Sequence, residues 1–440
     1  MMRRLSAFLF VALALITGEA QGAEVKALPD AVPGAQVWIA EDHTLPMIVL
    51  VASFPAGSAY DPTGKGGLAA FAGELLEDGS GNLNGDAFHA ALSARGIHFE
   101  VETGRDYTTV TLMTLTQDAK EAFRLLGLAL SRPRFDGAAI ARVREQMIQE
   151  LALNSEDPMA VAERGFYTLY FGPYTYGRAV GGDRHGLQAI TPQDLHGFAV
   201  THWVQSGMKI ALAGDTGADT AAELLDAAFG DLPEEAPPPP TVPPRVGAPG
   251  LHVLKMEAAQ SAIFFGLPGL ARSNPDFIAA MIANYILGGG EASRLSAEVR
   301  EMRGLTYDVS TALVPYRRAG VLVGAVATRR QSVRRTIASV RDTMQRFAAE
   351  GPTDRELVNA KLYLNGSFPL SFASNADIAA QLNAFQQADL PLDYLDKRAG
   401  LINRVTIYDV RRIARRLFDP SKMTIVVAGS LPPPKAEAGD

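Results

Sequence analysis

The 440-residue chain contains no cysteine. That excludes disulfides, thiolate nucleophiles and thiolate metal sites together. Histidine is also scarce: His43, His89, His98, His185, His196, His202 and His252 are the full set. No two of them stand three or four residues apart, so no helix offers a pair of imidazoles to one metal ion. His196 and His202, six residues apart, read as structural. The formal net charge is −7, which gives a nucleic-acid partner no electrostatic support. No G-x-S-x-G stretch occurs, so the nucleophile elbow of a serine hydrolase is missing. Beyond the N-terminus there is no apolar run long enough to span a bilayer, and no stable membrane insertion of the mature chain is expected.

The N-terminus itself is distinctive. Arg3 and Arg4 precede an apolar run from Leu5 to Ile16, followed by "TGEAQGAEV". A charged start, a short apolar core and small residues describe a secretory signal peptide over 1–23, with Ala20, Gly22 and Ala23 as alternative cleavage points. The mature protein is expected to be exported, into the periplasm if the source is Gram-negative.

Near the middle, "PEEAPPPPTVPPRVGAPG" (233–250) reads as a Pro-rich linker. The halves on either side end alike. "ITPQDLHGFAVTHWVQSGMKIALAGD" (190–215) aligns without gaps to "VTIYDVRRIARRLFDPSKMTIVVAGS" (405–430). Each reads as a Thr cap, an amphipathic helix and a short apolar strand. Strands are predicted at 107–115 and 320–328, and helices at 137–152 and 331–349. The pattern implies a duplicated α+β unit: two tandem homologous domains over 24–232 and 251–433, and a tail over 434–440.

One helix raises a question. "GLAAFAGELLEDG" (67–79) places Leu68, Phe71, Ala72, Leu75 and Leu76 on one face, and leaves Ala70, Gly73, Glu74 and Glu77 opposite. Here the chain resembles the pitrilysin/insulinase family of zinc metallopeptidases, in the two-domain form similar to mitochondrial processing peptidase subunits. In that family the helix reads "GLAHFLEHMLFKG": two His hold zinc, a Glu before the second polarises water, and a later Glu completes the site. In the same frame this chain has Ala70 for the first His, Gly73 for the base and Glu74 for the second His. Glu150, 76 residues past Glu74, keeps the place of the third ligand. The resemblance therefore implies the fold of a zinc helix without its ligands. The two remaining carboxylates suit a hard cation weakly and zinc not at all, so no metal is assigned to this chain.

In the second half the family motif is intact. "YILGGGEASRLSAEVREMRGLTYDVST" (285–311) should form a helix capped by Ser293, with Leu295 and Val299 inward, ended by Gly304 and followed by a strand that Tyr307 opens. The resemblance implies that Arg300 and Tyr307 contact substrate and transition state: the guanidinium donates to a substrate carbonyl and the phenol steadies the oxyanion. Arg294 and Arg303 are weaker candidates, and "LGGG" (287–290) reads as a tight turn. The resemblance also implies a clam-shell architecture of mainly antiparallel sheets packed with helices. Its function would be that of a zinc-less subunit completing the chamber of a partner with H-x-x-E-H. That partner carries the zinc, and the pair takes up unfolded or extended peptides. The alternatives are a peptide-binding or assembly protein with no role in hydrolysis, and a self-sufficient metallopeptidase with an unconventional site.

Overall fold

A computed structural model describes residues 24–235 and 247–431. The signal-peptide assignment, most of the Pro-rich segment and the tail assignment lie outside the described residues. The first half contains strands β1 (Val25–Ala27), β2 (Gln36–Glu41), β3 (Met47–Phe54), β4 (Gly79–Ser80), β5 (Leu83–Asn84), β6 (His98–Thr103), β7 (Thr108–Leu115) and β8 (Lys209–Gly214). The second contains β9 (Gly250–Lys255), β10 (Gln260–Pro268), β11 (Val309–Pro315), β12 (Gly320–Arg329) and β13 (Thr424–Gly429).

β4 and β5 form a small hairpin, and the other strands form two sheets. The first runs β1-β2-β8-β3-β7-β6 and the second β11-β12-β10-β13-β9. Apart from β1 the two orders are the same. In each sheet one pair is parallel, β2 with β8 and β9 with β13, and every other pair is antiparallel. The aligned segments occupy equivalent places. Thr191 caps the helix Pro192–His202 and Thr406 caps the helix Ile407–Leu417. In each, an Asp three residues on returns the hydrogen bond, closing a reciprocal box. The helices at Gly137–Glu156 and Val333–Glu350 match the predicted spans to within a few residues.

Both sheets are covered on both faces, because successive strand residues point to opposite sides. In the first sheet Ile39, Ile48, Leu50, Ile210 and Leu212 enter the core shared with the helices of the same half. The alternate residues Trp38, Val49, Val51, Ala211 and Ala213 pack instead on Ala379, Leu382, Phe385 and Tyr394 from the second half. The second sheet mirrors this. Ala262, Phe264, Val426 and Ala428 pack on Ala162, Phe166, Tyr167 and Tyr170 of the helix Pro158–Phe171, which belongs to the first half. Each half thus lends a helix to the other's sheet.

Polar groups fix the loan. Asn383, in the helix Asn375–Gln387, donates to the carbonyls of Val51 (3.2 Å) and Lys209 (2.8 Å) and accepts from Ser53 Oγ (2.6 Å). Gln386 donates to the Gln36 and Ile210 carbonyls, both at 2.9 Å. Both amides are buried, so losing either partner leaves an unpaired polar group out of water. Leu382→Ala and Phe166→Ala each empty a fully buried site and are expected to cost about 2–5 kcal/mol. Because each side chain supports the other half's sheet, scanning calorimetry should show one transition, lowered in temperature by either variant. Two transitions moving separately would show that the halves fold independently.

Candidate functional site

The helix read at 67–79 is α-helical only over Leu68–Glu74 and tightens into a 3-10 turn over Leu75–Glu77. Glu74, Glu77 and Asp78 crowd its C-terminal end, where the helix dipole disfavours negative charge. Gly79, at φ +114°, then turns the chain into β4. At the other end Asp61 holds the first turn, accepting from the N–H groups of Gly67 (2.7 Å) and Ala69 (2.8 Å). Burial pushes its carboxyl up to about 7, opposed by these N–H groups and by Arg178.

The docking face is as read: Leu68, Phe71, Ala72, Leu75 and Leu76 are buried. The opposite face differs at one residue. Gly73 is buried against the edge strand β6. A Cβ there would sit 2.9 Å from Thr103 Oγ1 and 3.2 Å from Val101 Cγ1. This explains the glycine inside the helix: any side chain meets β6, so the base position is closed as well as empty. Ala70 is half-buried against the core and Glu74 is exposed. Glu74 and Glu150 are brought close enough to interact. Partial burial, then the charge of Glu150 and that of Asp78, raise the Glu74 carboxyl. Asp78 is itself paired with Arg142. These residues do not fit zinc: the helix brings no imidazole, and no group of three or more His, Asp or Glu among the described residues has metal-binding geometry. His196 meets Phe135 edge to face, and His202 packs on Tyr60 and Phe198. Burial lowers His202 to about 4, which keeps it neutral.

The second-half motif takes a different shape from the reading in two places. "LGGG" is not a tight turn. Tyr285–Gly289 continues the preceding helix with a wide π-helical turn, and Gly288 fits because its missing Cβ would lie 2.5 Å from Thr311 Oγ1. The Arg300 segment is also π-wound, over Ser296–Met302, a geometry found often at functional sites. Tyr307 does not open the strand but sits in a bend two residues before β11.

The rest follows the reading. Ser293 accepts from Ser296 N–H, and Leu295 and Val299 are fully buried. Gly304, at φ +58°, ends the helix, with bonds from Gly304 N–H to the Arg300 carbonyl and from Leu305 N–H to that of Val299. Arg294 is locked in a two-pronged bond to Glu356, whose carboxyl is held at about 2, and Arg303 and Arg346 both bind Glu298. Arg300 is the exception: its one ion pair among the described residues is with Glu301, loose at 3.7 Å. Tyr307 is 87% exposed, and its hydroxyl makes no hydrogen bond among the described residues. Neither residue bonds to Glu74 or Glu150.

The sequence reading missed a cavity of about 370 Å³ beside Glu150, lined by Arg105, Leu151, Asn154, Glu163, Arg164 and Tyr167 among others. Arg105 lies 3.8 Å above the Tyr167 ring, in a seam of aromatic residues where Tyr316 from the second half donates to Tyr167 (2.9 Å). The run "FYTLYFGPYTYG" (166–177) carries a legible aromatic density; Arg105, in a turn between two strands, carries no signal.

Comparison with known proteins agrees with this picture. Residues 37–183 match the insulinase family (peptidase family M16), and residues 189–364 match the peptidase M16 inactive domain. A "non-peptidase homolog" of Helicobacter pylori is 24% identical, over 89% of this chain and 90% of that protein. An "uncharacterized zinc protease" of Mycobacterium leprae is 26% identical over 82% of each. Among solved structures, a peptidase M16 inactive domain from Pseudomonas fluorescens superposes with a TM-score of 0.87 at 28% identity, over 93% of this chain and 99% of that one. The fold and the ligandless helix define a metallopeptidase scaffold without its metal site. The chain belongs to the insulinase peptidase family, as a non-catalytic member.

Helix propensity alone would make Gly73→Ala stabilising by about 1 kcal/mol. Contact with Thr103 reverses that, and an overpacking loss of about 1–3 kcal/mol is expected. Introducing Gly73→Ala into a Thr103→Ala background should remove most of the loss, which urea unfolding of the four proteins measures as a coupling. For the same reason, Ala70→His, Gly73→Glu and Glu74→His together should not yield zinc-dependent hydrolysis of an unfolded peptide while Thr103 is in place, because it is the base position that is crowded.

Proposed function

We propose that this chain is an exported, zinc-less subunit that pairs with a second family member whose zinc helix reads H-x-x-E-H. The partner supplies zinc and water, and this chain supplies half of the chamber wall. Arg300 binds the substrate backbone, and Tyr307 steadies the negative charge that develops on the carbonyl oxygen. The observation that carries this reading is a contrast within the chain. The metal site has lost its ligands and is crowded at Gly73, whereas Arg300, half-buried at the helix end, and Tyr307, exposed in the bend that follows, stay clear of the carboxylates that tie their arginine neighbours.

Extended peptides would bind by strand addition. Among the described residues β6 and β11 end their sheets with no strand paired outside them, although Asn284 already donates to the Thr311 carbonyl of β11, and backbone bonds to an edge give affinity with little sequence preference. β6 also runs beside the ligandless helix through Val101 and Thr103.

Co-expression with a partner bearing the intact motif should give a heterodimer that cleaves unfolded peptides. In it, Tyr307→Phe should lower kcat by about 10²–10³-fold, and Arg300→Ala should both raise KM and lower kcat. Assembly, zinc content and melting temperature should stay near the parent values. Near-normal turnover of both variants in a zinc-loaded complex would instead favour an assembly protein with no part in hydrolysis.

A further inference from the structure

The cavity beside Glu150 is walled by four charged side chains: Arg105, Glu150, Glu163 and Arg164. None of the four is in an ion pair among the described residues, although 20 pairs form elsewhere among those residues. Arg105 is half-buried, and its guanidinium is held by contacts that leave its charge uncancelled: the face of Tyr167, the Tyr176 carbonyl at 3.2 Å and the Tyr316 hydroxyl at 3.5 Å. A cation fixed on aromatic rings without a carboxylate is arranged to receive one from outside. A plain anion, however, would face Glu150 and Glu163 as well. Two cations and two carboxylates around one space suit a ligand carrying both signs. The rest of the lining divides similarly: Asn154 offers an amide, and Met147, Leu151, Tyr167 and Val180 offer apolar surface for a side chain. At about 370 Å³ the space lies at the small end of ligand pockets, which run from about 300 to 1,000 Å³.

We infer that this cavity binds a small zwitterion with free amino and carboxyl termini, a dipeptide or a single amino acid. Arg105 and Arg164 take the carboxylate, and Glu150 and Glu163 take the ammonium. The inference concerns the chain alone and does not depend on a partner subunit.

The test is titration calorimetry of the purified mature chain with leucyl-leucine, at concentrations up to about 10 mM, where even a millimolar site raises apparent stability. Three further probes are used: acetyl-leucyl-leucine, leucyl-leucine amide and the doubly blocked peptide. The free dipeptide should bind one-to-one, and blocking either terminus should weaken binding by about tenfold or more, as loss of a charged hydrogen bond does. Arg164 and Glu163 are exposed, so their substitution spares the fold. Arg164→Gln should weaken the dipeptide but not the acetyl-free amide. Glu163→Gln should weaken the dipeptide but not the acetylated acid. Absence of saturable binding by the free dipeptide overturns the proposal. Equal binding of the doubly blocked peptide overturns it too, by showing an apolar slot indifferent to charge.

Discussion

Everything else in the molecule rests on the exchange of helices between its halves. A mixed sheet buried on both faces needs a cover on each side. Here each half supplies one cover for itself and one for its counterpart. The helix Pro158–Phe171 closes the second sheet through Phe166 and Tyr167, and the helix Asn375–Gln387 closes the first through Leu382 and Phe385. The buried amides of Asn383 and Gln386 fix that helix in register, since an apolar face alone would tolerate sliding along the strands. The same exchange brings Arg105 and Tyr167 against Tyr316, so the seam beside the Glu150 cavity exists only when both halves are present.

Against this rigid frame the two candidate centres differ in kind. At the ligandless helix the geometry has followed the chemistry: Gly73 lets β6 approach until any side chain at the base position would have to push Thr103 and Val101 aside. At the Arg300 helix the support persists. Leu295 and Val299 are buried, Gly304 closes the helix, and carboxylates occupy Arg294 and Arg303, which leaves Arg300 and Tyr307 available.

Much of the fold was legible because local signals agreed with it. The Thr caps at 191 and 406 and the alternation in 107–115 and 320–328 all reflect short-range physics, and the repeat in them led to the duplication. The exchange of covers was not legible. Helical periodicity tells which face of 158–171 is apolar but not which sheet receives it. Gly73 was placed on the outer face because helical spacing ignores a neighbouring strand that comes close enough to bury a residue without a side chain. "LGGG" looked like a turn since glycine commonly supplies positive φ, whereas Gly288 serves close packing against Thr311. Arg105 gave no sign because its role comes from aromatic residues 62 and 211 positions away in sequence.

The exchange also changes the meaning of the peptide bonds that join the halves. Among the described residues their association is carried by the two lent helices. A chain severed between its sheets would keep its interlocked partner, and two polypeptides encoding the halves would have a ready-made way to find each other. Connectivity in this architecture sets the stoichiometry of the halves at one to one, while the shape is held by what each gives the other.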